Sequence, residues 1–111
     1  MAALNRVYLF GHLTREPDLR YTASGHAVCS LRLAVNRRYR TRSGDVQEEA
    51  CFVDIDVFGA QAEECKDVLQ TGATLFVEGA LHARQRRRPR RGDAGTKLTV
   101  RADTVRFSGR T

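Results

Sequence analysis

Asp54 and Asp56 stand two residues apart in the stretch ACFVDIDVFG, residues 50–59. Side chains of an extended chain alternate between faces, so the two carboxylates share one face, close enough to hold a metal ion or a proton between them. A third ligand is not evident, His12, His26 and His82 are scattered, and the serines lie in turns. A nucleophile needs a partnered base and a metal-dependent hydrolase needs a ligand cluster, so neither a catalytic residue nor a metal site is expected. The same face carries Phe52 and Phe58, while Cys51, Val53, Ile55 and Val57 fall on the other, which is core. Large rings normally seek the interior and carboxylates avoid it, so this mixed face asks for a partner.

Unpaired nucleobases are one such partner. A protein that holds a single strand without reading its sequence needs flat rings for the bases and cations for the phosphates. Phe52 and Phe58 are six residues apart, which at about 3.3 Å per residue separates them by roughly 20 Å, a span of several nucleotides. A covering loop or a partner subunit would satisfy the rings equally. Tyr39, inside NRRYRTR, is an aromatic interleaved with arginines, suited to a base flanked by phosphates, although an exposed loop tyrosine needs no such partner. The two carboxylates would repel phosphate, so neighbouring arginines are expected to neutralise them.

The charge distribution supports a polyanionic partner. The 19 lysines and arginines exceed the 13 aspartates and glutamates for a net charge of +6, and the six arginines of RQRRRPRR, residues 84–91, account for all of that excess. Arg37, Arg38, Arg40 and Arg42 form a second cluster. A basic excess confined to short runs suits contact with a polyanion at defined places, though a solvated charge run is its bland equivalent.

The elements that must position these residues are mostly strands. Residues 4–13, 27–36, 48–58, 73–84 and 96–107 read as extended, separated by turn-rich segments such as ASG, RSGD and RRGDAG. One helix is convincing: in AQAEECKDVLQTG, Ala62, Cys65, Val68 and Leu69 recur at helical spacing, Glu63 and Glu64 come early, and Gly72 is placed to end it. Three strands, a helix and two strands is the order of an OB-fold, a five-stranded Greek-key barrel whose face and loops bind oligonucleotides, here with arginine-bearing loops at 37–47 and 85–95. In the first strand Tyr8 and Phe10 oppose Val7 and Leu9, so it is apolar on both sides; another part of the chain or a second copy must cover the outer pair, and a second copy is the expectation.

At 111 residues the chain is one domain, residues 1–108, with a short polar end at 109–111. No apolar run reaches the length of a membrane span, and the N-terminal stretch lacks the pattern of a secretory signal, so a cytoplasmic location is expected. Cys29, Cys51 and Cys65 are odd in number without CxxC spacing, and read as reduced, buried thiols, the first two in core phase.

NRVYLFGHLTREPDLRYTASGHAVCSLRLAVNRRYR, FVDIDVFGAQAEECKDVLQTGATLFVEGALHAR and KLTVRADTVRF together resemble the bacterial-type single-stranded DNA-binding protein family along nearly the whole chain. The resemblance implies a cofactor-free OB-fold that assembles as a homotetramer, two dimers back to back, and wraps single-stranded DNA without sequence preference during replication, recombination and repair. Its stacking positions fall on Tyr39, Phe52, Phe58 and Arg86, and its phosphate-contacting positions on Arg6, Arg20 and Arg84. Charge alone adds Arg37, Arg38, Arg40, Arg87 and Arg88. Arg86 stands where the family has an aromatic, and the chain has no tryptophan, so binding should lean on arginine and weaken steeply with salt. Asp56 stands where an apolar residue is common. No acidic interaction tail follows the last strand, so replication and repair proteins are expected as partners only through a segment outside this sequence. The alternative within binding modules is a dimeric primosomal accessory protein. A nuclease lacks its acidic cluster, and a ribosomal-type protein would prefer structured RNA.

Overall fold

The computed structural model describes residues 2–85 and 96–107. Six strands and one helix follow in the order β1 Val7–Leu13, β2 Asp18–Tyr21, β3 Ala27–Arg40, β4 Val46–Phe58, α1 Ala60–Val68, β5 Thr74–Gln85 and β6 Thr96–Phe107. β1 pairs with β5 from Val7↔Gly79 to His12↔Thr74, then meets β3 at His12↔Ala34 and Leu13↔Leu33. With β3–β4, β4–β6 and β5–β6 also paired, five strands close into a barrel in cyclic order β1-β5-β6-β4-β3. This is the expected OB-fold architecture. β2, absent from the five expected strands, is a short flank lying on the β3 edge that β1 leaves free, from Asp18↔Ser30 to Tyr21↔Ala27. Four residues give too short an alternation to read.

The core follows strand parity. Leu31 and Leu33 of β3, Ile55 and Val57 of β4, Leu75 and Val77 of β5, and Val100 of β6 are all buried, with Leu13 at the closing end of β1. α1 adds Ala62 and Cys65, and Leu69 follows at its C-cap. Gly72 does not end the helix, which stops four residues earlier at Val68. It takes φ +95° in the turn Gln70–Ala73, closed by Ala73 N–H donating to the Gln70 carbonyl, and its own N–H donates to Leu13 O at 2.7 Å. The glycine therefore ties the helix exit to the end of β1.

Two expectations fail for one reason. The 37–47 segment is not a loop: β3 and β4 stay paired out to Arg40↔Val46, and only residues 41–45 turn, with Gly44 at φ +93° and Thr41 N–H donating to Asp45 O. The arginines of one strand face the acids of the other, Arg37 to Glu49 and Arg38 to Glu48, each at 3.6 Å. The resulting ribbon runs beyond the barrel, so its inward parity meets no core. Cys51 is there, and it is exposed, whereas Cys29 and Cys65 are buried as expected. The region 85–95 stands as β5 at Gln85, and the rest lies outside the described residues.

Candidate nucleic-acid interface

Parity places Phe52, Asp54, Asp56 and Phe58 on the outer face of β4, and both rings stay open, 53% and 39% exposed. Register brings cations beside them from three strands: Arg32 of β3 opposite Asp54, Arg101 of β6 opposite Asp56, and Lys97 of β6 opposite Arg84 of β5. Lys97 Nζ lies 2.6 Å and Arg32 Nη1 3.1 Å from the Asp54 carboxylate. Burial pushes the Asp54 carboxyl up, but the Lys97 hydrogen bond and charge, with Arg32, outweigh it and hold it below the usual carboxylate range. Asp56, 6% exposed, accepts from Arg84 Nη1 at 3.3 Å and from Ser30 Oγ at 3.4 Å. Ser30 Oγ in turn accepts from Arg20 Nη1 at 2.7 Å. The expected neutralisation of the two acids is thus in place, and among the described residues no group of three His, Cys, Asp or Glu could hold a metal ion.

Each ring also carries a guanidinium. Arg32 lies over Phe52 with Cζ 5.3 Å from the centroid, Arg101 over Phe58 at 4.7 Å, and Arg37 over Tyr39 at 5.4 Å. Such contacts are worth about 0.5–1 kcal/mol when exposed, weak enough for a better ring partner to replace. Arg20, Arg32, Arg84, Lys97 and Arg101 outnumber Asp54, Asp56 and Asp18, which faces Ser30 from β2, so the face is net positive between its rings.

The structure divides the other candidates. Arg20 and Arg84 join Phe52 and Phe58 on this face. Tyr39 pairs with Gln47 and has the parity opposite to Phe52, so it belongs to the other side of the ribbon. Arg37, Arg38 and Arg40 sit on the same ribbon, where Glu48 and Glu49 offset part of their charge and Arg40 Nη1 donates to Gly44 O. Arg6 stands apart, held by Asp103 at 2.7 Å and Glu78 at 3.4 Å beside Tyr8. Arg86, Arg87 and Arg88 lie outside the described residues. Sequence reasoning missed Arg32, Lys97 and Arg101. All three occupy the non-core parity of apolar strands, CSLRLAV and TKLTVRADTVRF, a signal that gains meaning only once register sets them beside β4.

Tyr8 and Phe10 point outward as expected, 60% and 66% exposed. Tyr8 stacks on Phe76 with centroids 6.5 Å apart, and Phe10, Thr74, Phe76, Arg106 and Phe107 line an open groove of about 320 Å³.

Replacing Asp56 with valine removes an anion from between the rings and releases Arg84. Because Arg84 is already partly exposed, no buried charge is stranded. Affinity for an oligo(dT) strand should be equal or several-fold tighter at low salt, and a marked loss in a folded, assembled protein would contradict this account of the acid.

A closed five-stranded barrel whose outer face sets open rings among cations is an OB-fold binding module. Comparison with known proteins narrows this class: the chain belongs to the single-strand binding protein family, whose model matches residues 4–108. It is 42% identical over 77 residues to the single-stranded DNA-binding protein of Helicobacter hepaticus, covering 69% of this chain and 45% of that one. With the Treponema pallidum protein of the same name the identity is 39% over 109 residues, covering 98% and 60%. Among solved structures, a deletion mutant of the single-stranded DNA binding protein from Thermus aquaticus superposes with a TM-score of 0.84 at 36% identity, covering 96% of this chain and 51% of that one. A Plasmodium falciparum SSB solved with ssDNA has the same fold, with a TM-score of 0.86 at 21% identity and 98% of each chain covered. This chain spans about half the length of the curated relatives it matches. The family is one of binding proteins, not enzymes.

Proposed function

We propose that the β4 face binds single-stranded DNA without sequence preference, protecting and organising strands exposed during replication, recombination and repair. The observation that carries this reading is the pair of open rings, Phe52 and Phe58, bracketing a net-positive set of side chains on one barrel face. Every base has a π-face, so rings accept any sequence, and the cations hold the phosphates. Arg20, Arg84, Arg32 and Lys97 are the phosphate side of the site. The ribbon arginines extend it along the β3–β4 arm, where Tyr39 offers a further ring to a strand that passes round to the arm's other side. Relatives named for single-stranded DNA binding, at 39–42% identity, support the assignment. Binding needs no cofactor, and a cytoplasmic, nucleoid-associated location fits it; no helix among the described residues is long and apolar enough to cross a membrane.

The exposed Tyr8 and Phe10, with the half-buried Phe76 between them and the barrel, support a homo-oligomer, a tetramer built as a dimer of dimers. An apolar patch of this kind on so small a domain gains stability when a second copy covers it. Phe10→Asp should lower the mass seen by sedimentation while leaving the barrel folded, since Phe10 has no place in the core. Unchanged mass would remove this surface from the assembly.

Titration of oligo(dT) beside duplex DNA, at two salt concentrations, tests the function. Tighter binding to the single strand, weakening with salt, is expected; equal affinity for both nucleic acids would reject it.

A further inference from the structure

Of the four guanidinium–ring contacts among the described residues, that of Arg101 with Phe58 is the shortest. Arg101 also differs from its neighbours in what holds it. Arg32 and Lys97 are bound to Asp54, and Arg84 to Asp56. No carboxylate among the described residues pairs with Arg101, whose Nη2 donates to His82 Nε2 at 3.3 Å. Phe58, by contrast, is fixed: its backbone pairs with Val28, and the next residue's N–H donates to Ala27 O at 2.9 Å just before α1 begins. A ring on a fixed backbone therefore lies beneath a cation that no acid among the described residues holds.

We propose that Arg101 is a movable cover for Phe58, and that a nucleobase enters between the two and is held on both faces. Stacked atoms pack at about 3.5 Å, so a base sandwiched between ring and guanidinium needs about 7 Å between them. The present 4.7 Å must open by about 2 Å. The flexible arginine stem reaches that by rotamer changes, and the charge remains over the base instead of being spent on a phosphate. Arg32 cannot follow as freely, because Asp54 holds it. The planar guanidinium is what the role requires: lysine keeps the charge but offers no flat surface for a base.

This inference rests on the single-strand reading above, and the experiment separates the two. Arg101→Lys is titrated with a dT oligonucleotide and with an abasic oligonucleotide of equal length. Affinity for the dT strand should fall about tenfold, the scale of one lost stacking face. Affinity for the abasic strand should stay within about twofold, because the charge is retained. In a Phe58→Leu background the same substitution should add no further loss. Equal losses on both strands would make Arg101 a phosphate contact, and no loss on either would make it a bystander; both outcomes overturn the proposal. If the unmodified protein shows no preference for dT over duplex, it is the single-strand reading that fails.

Discussion

Replacing Phe52 and Phe58 together with alanine should weaken binding to an oligo(dT) strand about thirtyfold or more while the barrel remains folded. One base stacked on an aromatic contributes about 1–3 kcal/mol, so two rings contribute about 2–6 kcal/mol, and every 1.4 kcal/mol is a factor of ten. Folding should be little changed, because both rings stand outside the core. Their loss strands no charge either: Arg32 keeps Asp54, and Arg101 is exposed. The phosphate contacts survive, so the dependence of affinity on salt should keep its slope while the whole line drops. Calorimetric titration across a salt series reads both quantities. A loss below about threefold would mean that bases bind elsewhere, and a changed slope would mean that the rings were positioning cations rather than stacking.

How far this face could be read from the sequence depended on what alternation can tell. Parity along ACFVDIDVFG separates Phe52 and Phe58 from Ile55 and Val57 correctly, since β4 is inside the barrel there. It fails at Cys51 because alternation names a face without saying where the core stops. Leu81 and Leu98, exposed at the same end of the barrel, show the same limit. Tyr39 stands out in the sequence as a ring among arginines, but its side of the ribbon depends on the register Tyr39↔Gln47, which no single strand carries. The ribbon itself was legible in a signal left unused: four arginines before a Ser-Gly-Asp turn meet Gln47, Glu48 and Glu49 after it, opposite charges arranged to face each other. Arg32, Lys97 and Arg101 each look like an isolated surface cation until strands from distant parts of the chain are laid beside β4. The two acids were placed correctly between cations, because unpaired carboxylates next to a phosphate-binding surface would oppose its purpose.

Gly11→Ala should destabilise the protein by about 3 kcal/mol or more, the upper range for forcing extra atoms into a packed site. The backbone of Gly11 is not in the left-handed region, so the cause is steric alone. A Cβ there would stand 2.2 Å from Ala34 O and 3.0 Å from Ala34 C, backbone atoms of β3 that cannot rotate aside. This is the seam where β1 closes the barrel, through only His12↔Ala34 and Leu13↔Leu33. Pushing β1 away would open a gap over Leu13 and Leu33, both fully buried, and would strain the Thr14 N–H donation to Arg32 O at 2.9 Å. Arg32 carries the cation over Phe52, so damage at the seam should reach the binding face. Gly25→Ala is the control: Gly25 has φ +87° but open space around it, and its substitution should cost about 1–2 kcal/mol through backbone conformation alone. For a domain of this size each kcal/mol lowers the melting temperature by about 4–8 °C. Thermal melts at one protein concentration, which holds any assembly constant, should place Gly11→Ala at least about 12 °C below the unmodified protein, with Gly25→Ala between them. Gly11→Ala melting no lower than Gly25→Ala would show that β1 does not close the barrel against β3. Weaker oligo(dT) binding by Gly11→Ala well below its melting point is also expected, because the strand that closes the barrel also anchors the cation at Phe52.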